Sequence, residues 1–294
     1  MIYRFICDHR SAHCVMKMCR VLEVSQSAFY DWVRRAPSPR ELENARMLKA
    51  IRRIHADPKT ECYGSPRVTV ELRSTGFQCS EAKVARLMKA HGIRAKRAEH
   101  FQVTTDAKHH EPLSPNLLQQ DFRAEAPKRK WVSDLTYIWT VQGWLYLTII
   151  LDLFDRRIVG WALSERMHSQ VTTIAALEDA VRREHPAPGL IFHSDRGSQY
   201  ASKDFRKRLA THTMTQSMSG KGHCYDNAVA ESFFRTLKSE LIYRITLATR
   251  QAARLRIFEF IEITYNRFRR HSTLGYLSPV DYLNNYMKNL KNAA

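Results

Sequence analysis

The sequence predicts an α/β chain whose mixed sheet is flanked by helices, with an all-helical segment in front of it and another behind. Residues 131–163 hold three runs rich in aromatic and β-branched residues, parted by turn residues. From about residue 169 onward, helical and strand patterns alternate, while residues 1–100 carry apolar residues at helical spacing with few strand signals.

The elements follow in order. Val15, Met18, Cys19 and Leu22 share one helical face, and Ser25 caps a second helix bearing Phe29, Trp32 and Val33. Two short helices joined tightly suggest a helix-turn-helix, with Arg34 and Arg35 at its exit, and a charged helix then spans about 41–55. Ser65 as cap and Pro66 at the first helical position open a further helix carrying Val68 and Leu72, which Gly76 ends. Ser80 opens its partner, with Val84, Leu87 and Met88 on one face and Gly92 at its end. Arg94, Lys96 and Arg97 follow, so a second helix-turn-helix-like unit also ends in positive charge; small helical cores with solvated basic faces are the alternative.

Residues 101–126 show no period, contain Pro112 and Pro115, and read as a linker, with Pro127 and a Lys-Arg-Lys run beyond it. Strands are expected over 131–139, 144–154 and 157–163, turning at Gly143 and at Asp155-Arg156. A helix over 169–183, a short strand over 190–193 and further helices complete the pattern. The expected divisions are 1–60 (helix-turn-helix-like module plus basic helix), 61–100 (second module), 101–126 (linker), 127–245 (core) and 246–294 (helical extension).

Charge narrows the function classes. The 294 residues hold 47 Lys plus Arg against 29 Asp plus Glu, a net charge of +18, which favours a polyanionic partner and makes nucleic acid the first to consider. No apolar run reaches the roughly 18 residues of a membrane span and no signal peptide is evident, so a cytoplasmic location is expected. Six scattered cysteines form no CxxC pair, which argues against a disulfide framework and against zinc, although His9 and His13 have ligand-like spacing.

Three carboxylates stand out. Asp134 lies within the first expected strand, Asp195 leaves the apolar strand in HSDRGSQY, and Glu231 sits off the apolar stripe of the helix NAVAESFFRTLK. Spacing alone is weak, because Asp204 and Glu240 repeat the separation of Asp195 and Glu231; Asp204, however, suits the first turn of a helix. Converging carboxylates would hold Mg2+ or Mn2+, and two such ions about 3.5 to 4 Å apart activate an attacking oxygen and stabilise a leaving one in phosphodiester chemistry. A carboxylate pair can also hydrolyse glycosides, but positive charge gives no advantage with a neutral sugar.

The segments WVSDLTYI, HSDRGSQY, DNAVAESFFRTLK and YNRFRRHSTLGYLSPVDY closely resemble transposases of the insertion-sequence-three family, the product of the element's second reading frame. YDWVRR, YGSPRV and TTDAKHHEPLSPNLL extend the resemblance over nearly the whole chain. It implies a ribonuclease H-like core shared with retroviral integrases, with Asp134, Asp195 and Glu231 as a DDE triad on two metal ions. It further implies recognition of double-stranded terminal inverted repeats, strand nicking and transfer through a circular intermediate. A homo-oligomer on DNA and cooperation with a first-frame product are implied partners. A non-catalytic DNA-binding regulator and an inactive relic are the alternatives.

Supporting residues carry two readings each. Lys238, two helical turns after Glu231, is a candidate phosphate contact or a solvated lysine, and Arg235 a DNA contact or an ion-pair partner of Glu231. His193, two residues before Asp195, is a candidate support for the site or a structural histidine. Lys221 lies in SMSGKGHCYDNA, a candidate flap or a plain loop. Arg267, Arg269 and Arg270 follow a helix bearing Leu255, Phe258, Ile261 and Tyr265 and read as a DNA-facing edge or a solvated charge run. Asp152 and Asp155 suit turn and ion-pair roles.

Overall fold

The computed structural model describes residues 2–96, 113–220 and 224–293. The front of the chain is helical: α1 (Ile2–His9), α2 (Val15–Val21), α3 (Gln26–Arg34), α4 (Pro39–Ala56), α5 (Ser65–Ser74) and α6 (Glu81–Ala90). Ile6, Met18, Cys19 and Phe29 form a small core joining α1 to the α2–α3 pair. Helix α1 was not expected, because its apolar Ile2 and Phe5 are largely exposed and only Ile6 is buried. A full capping box between Ser38 and Glu41 starts α4. Met47 and Ile51 of α4 share a core with Val68, Leu72, Val84 and Met88, so the charged helix packs with the second pair. Gly64, not Ser65, is the N-cap of α5, placing Ser65 and Pro66 within its first turn.

Five strands form one sheet: β1 (Lys130–Thr140), β2 (Gly143–Asp152), β3 (Ile158–Ser164), β4 (Ile191–Ser194) and β5 (Thr215–Met218), in the order β3-β2-β1-β4-β5. The pairs β1–β2 and β2–β3 are antiparallel and β1–β4 and β4–β5 parallel, giving the mixed sheet expected. Gly143 and Arg156 supply the turns with positive φ of 106° and 62°. Strand β5 was not foreseen: Thr215-Gln216-Ser217-Met218 is short and polar, yet Ser217 and Met218 are buried beside β4.

Helices cover both faces. On one, α7 (Thr173–Glu184), α8 (Ser198–Ala201) and α9 (Lys203–Thr211) bury Leu177, Tyr200 and Phe205 against Trp131 and Phe192. On the other, α10 (Ala228–Glu240), α11 (Arg250–Phe258) and a π-helical stretch Glu259–Phe268 bury Phe233, Leu237, Ile257 and Tyr265 against Val132, Ile138 and Leu147. The wider π turn changes the expected apolar face: Phe260, Ile261 and Tyr265 are buried, while Leu255 and Phe258 are exposed. The last helix is α12 (Pro279–Ala293).

Helix α7 approaches β3 so closely at Gly160 that a Cβ there would lie 2.5 Å from the Ala180 Cβ and 2.6 Å from the Ala176 carbonyl oxygen. Gly160→Ala is therefore expected to destabilise the core by about 1–3 kcal/mol through overpacking, measurable as a lower denaturation midpoint at unchanged slope.

Candidate active site

Register brings the two aspartates together. Strands β1 and β4 pair in parallel from Lys130↔Ile191 to Ser133↔Ser194, and Asp134 and Asp195 are the next residues on each. There β4 ends and β1 continues, so Asp195 leaves its strand beside Asp134 at the point where the sheet opens. The Gly197 N–H donates to Asp195 Oδ1 at 2.9 Å, and a Cβ on Gly197 would stand 3.0 Å from that same oxygen. Asp134 Oδ1 accepts from the Leu135 N–H at 2.8 Å.

Helix α10 brings the third carboxylate. The Asn227 Nδ2 donates to the Ser133 carbonyl at 3.1 Å, which fixes the start of the helix beside Asp134. Ala230, Phe233, Phe234 and Leu237 turn into the core, leaving Glu231 and Arg235 exposed on the opposite side.

The acids sense one another. Burial first, then Asp195 and Glu231, push the Asp134 carboxyl well above the usual range, with the Leu135 N–H and Lys238 pulling against them. Burial and Asp195 raise Glu231 while Arg235 lowers it, without an ion pair between the two. Burial lowers the Lys238 ammonium and Asp134 works against that, placing this lysine within the electrostatic reach of Asp134. The Tyr200 hydroxyl, 2.7 Å from Ser133 Oγ, is held high by burial and by both aspartates.

Such mutually repelling hard-oxygen donors suit a divalent cation, which relieves the repulsion that now favours protonation. Among the described residues, no three His, Cys, Asp or Glu side chains stand close enough to hold an ion in this arrangement.

The remaining expected residues divide. His193 is buried between strands, with Nδ1 2.8 Å from Ser217 Oγ and Nε2 3.4 Å from Ser219 Oγ, and burial takes its pKa down to about 4. It joins β4 to β5. Asp152 accepts from the Lys128 and Phe154 backbone N–H groups and from Trp131 Nε1, and Asp155 pairs with Arg157, as turn and ion-pair roles require. Asp204 lies in the first turn of α9 and Glu240 is buried, so their shared spacing with the site pair has no chemical meaning. Arg34, Arg35, Arg94 and Arg267 are exposed. Lys96 is exposed but pairs with Glu61 at 3.0 Å. Arg97 and Lys221 lie outside the described residues.

Arg269 and Arg270 do not form a DNA-facing edge. Arg269 is buried, its Nε and one terminal nitrogen each 2.9 Å from the two Glu240 oxygens. Arg270 pairs with Glu71 of α5 and donates to the Tyr276 carbonyl at 3.0 Å. Sequence placed these charges in a basic run, but the end of the π-helical stretch turns them inward onto α10 and the front module. His271 beside them is half-buried, and desolvation followed by Arg269, Arg67 and Arg156 lowers its pKa from 6.5 to about 3. It stays neutral in the fold, whereas an unfolded chain protonates it below 6.5. Stability is therefore expected to fall as pH drops from 6.5 toward 3, by about 1.4 kcal/mol per unit from this group, and His271→Leu should flatten that part of the profile in denaturant titrations.

Sequence reasoning missed Asp226, Asn227 and Tyr200. Asp226 accepts from Asn116 Nδ2 at 2.8 Å, Gln120 Nε2 at 3.1 Å and the Gly220 N–H at 2.7 Å, tying the linker to the start of the Glu231 helix. The Asp-Asn pair directly before that helix was the available signal.

Two models described as "Integrase core domain" match residues 124–224 and 212–279, and one described as "HTH-like domain" matches residues 41–101. The chain is 40% identical to the transposase InsF for insertion sequence IS3A of Escherichia coli K12, over 97% of this chain and 99% of that one. It is 43% identical to an uncharacterized 31 kDa protein of insertion element IS600 from Shigella sonnei, over 92% and 98% respectively. The chain belongs to the IS3 family of insertion-sequence transposases. Among solved structures, the magnesium complex of the HTLV-2 integrase catalytic core in its trimeric form aligns with a TM-score of 0.43 at 15% identity, covering 54% of this chain and 99% of that one. A simian T-cell lymphotropic virus intasome with PP2A regulatory subunit B56 gamma gives 0.47 at 15%, covering 77% and 74%. Among the described residues no helix is long and apolar enough to cross a membrane.

Proposed function

We propose that the chain is a DDE transposase that binds the terminal inverted repeats of its element and cuts and joins DNA strands by metal-dependent phosphoryl transfer. The observation that carries this is the placement of Asp134 and Asp195 just past the end of one parallel ladder, where the charges of Asp195 and Glu231 both raise the Asp134 carboxyl. Asp134, Asp195 and Glu231 are the residues that would hold two Mg2+ or Mn2+ ions. When bound, such ions supply Lewis acidity at the phosphate and lower the pKa of the attacking oxygen.

The chain's own residues position and orient. Lys238, next to Asp134, neutralises a phosphate oxygen of the scissile strand, and Arg235 steers the strand at the outer edge. Water attacks phosphorus, the P–O3′ bond breaks, one proton leaves the attacking oxygen and one arrives at the departing 3′ oxygen. The freed 3′-hydroxyl then attacks a phosphate of a second strand in the same manner, through a circular intermediate. No Ser or Tyr nucleophile takes part.

The exposed Arg34, Arg35, Arg94 and Arg267, with Lys96, are proposed contacts to DNA phosphate, and Arg97 and Lys221 share that role by their place in the sequence. Two helical modules, the linker and the core divide the labour between end binding and chemistry. Holding two DNA ends calls for several copies on DNA, and a first-frame product is the proposed companion. Incubating the chain with a terminal-repeat duplex should give a nicked strand in Mg2+ and none after chelation; binding without cutting in Mg2+ would instead favour a regulator or an inactive relic.

A further inference from the structure

Past Ser133, β1 has no β4 neighbour, and a cleft of about 570 Å³ lies against this part of the strand. Its walls include Tyr137, Trp139, Trp144, Tyr243 and Ile245, and its cation is Lys238. Trp139 is 57% exposed, Trp144 44% and Ile245 40%. Trp139 and Trp144 face each other across the hairpin with centroids 4.9 Å apart at 70°, and Tyr137 meets Trp144 at 86°. Edge-on pairs leave ring faces uncovered by their partners, and a patch of this kind on a soluble chain marks a binding surface.

Two residues join the cleft to the carboxylates. Lys238 lines it and interacts with Asp134, and the Tyr137 hydroxyl in its wall feels the charge of Asp195. A ligand must therefore present a negative group at the Lys238 end and a flat, apolar, stackable body farther along β1. A nucleotide has both, and aromatic walls accept any base because every base has a π face. A base still stacked in a duplex cannot offer its faces, so the occupant is one that has left the helix.

We propose that this cleft takes an unpaired nucleobase of the strand being cut, stacked on Trp139 and Trp144 with its phosphate at Lys238. This rests on the reading of the neighbouring carboxylates as a strand-transfer site. It adds a subsite that holds the DNA end open, so that melting of the terminal base pairs and positioning of the scissile phosphate occur together.

The test uses the full chain and terminal-repeat duplexes carrying 5-iodouracil at successive positions on either side of the cut, irradiated and mapped by mass spectrometry. Crosslinks to Trp139 or Trp144 are expected from bases next to the scissile phosphate. Against a duplex with a short unpaired tail at that end, Trp139→Ala with Trp144→Ala should weaken binding by about 10- to 100-fold, and far less against a fully paired duplex. Trp139→Phe with Trp144→Phe keeps the rings and should restore most of the loss. If the wild-type chain cuts DNA in Mg2+ while no crosslink reaches the cleft and the double alanine variant binds tailed DNA normally, the subsite is wrong and the catalytic reading stands. If the wild-type chain cuts nothing, the catalytic reading itself fails.

Discussion

On the proposed function, Asp195→Asn is expected to abolish metal-dependent strand cleavage and to leave DNA-end binding intact. The amide keeps an oxygen that can accept the Gly197 N–H bond, so the turn after β4 persists. What disappears is the negative charge that a divalent ion needs. Losing a metal ligand forfeits several kcal/mol of transition-state stabilisation, and about 4 kcal/mol corresponds to roughly a 10³-fold lower rate. Stability should move the other way. Asp195 raises the cost of ionising Asp134, so removing its charge relieves a repulsion in the native state, and thermal denaturation of the metal-free variant should occur at an equal or higher temperature. Measured together, single-turnover cleavage, end binding and melting separate loss of chemistry from loss of fold. A variant that cuts at the wild-type rate would remove Asp195 from the mechanism.

Arg269→Ala destabilises the chain by about 3–5 kcal/mol, the cost of leaving a buried carboxylate without its partner. Glu240 ends α10, the helix that carries Glu231, and it is held by both Arg269 and, at 3.8 Å, Arg67 of α5. The pair thus locks the end of α10 to the C-terminal segment and to the front module. Nearby, Tyr63 donates to the Phe268 carbonyl at 3.3 Å and accepts from the Arg270 N–H at 3.1 Å. Replacing both Arg269 and Glu240 with apolar residues of similar size should recover part of the loss, since a buried ion pair contributes little net stability over well-packed apolar groups. Urea titrations with unchanged slope check this. A surface arginine would cost under 1 kcal/mol, so a loss that small would contradict the buried geometry.

The strands around the site were legible because aromatic and β-branched residues alternate between turns, and Asp134 fell inside such a run. Asp195 could be placed because it ends a short apolar strand. Strand β5 could not: its polar residues Gln216 and Ser217 are paired through Ser114, His193 and the Tyr200 carbonyl, contacts distant in sequence. The same limit hid the fate of Arg269 and Arg270. Local sequence shows a basic run, while their partners Glu240 and Glu71 lie 29 and 199 positions away. The aromatic cleft was invisible for a related reason. Tyr137, Trp139 and Trp144 read as ordinary strand residues, and only the short length of β4 leaves that part of β1 open on one edge.

The most direct measurement is an anomalous-scattering map of crystals of the chain with a terminal-repeat duplex and Mn2+. Two peaks within ligating distance of Asp134, Asp195 and Glu231 are the expected result. Manganese bound elsewhere, or Glu231 making no contact with the metal with DNA in place, would contradict the three-carboxylate centre.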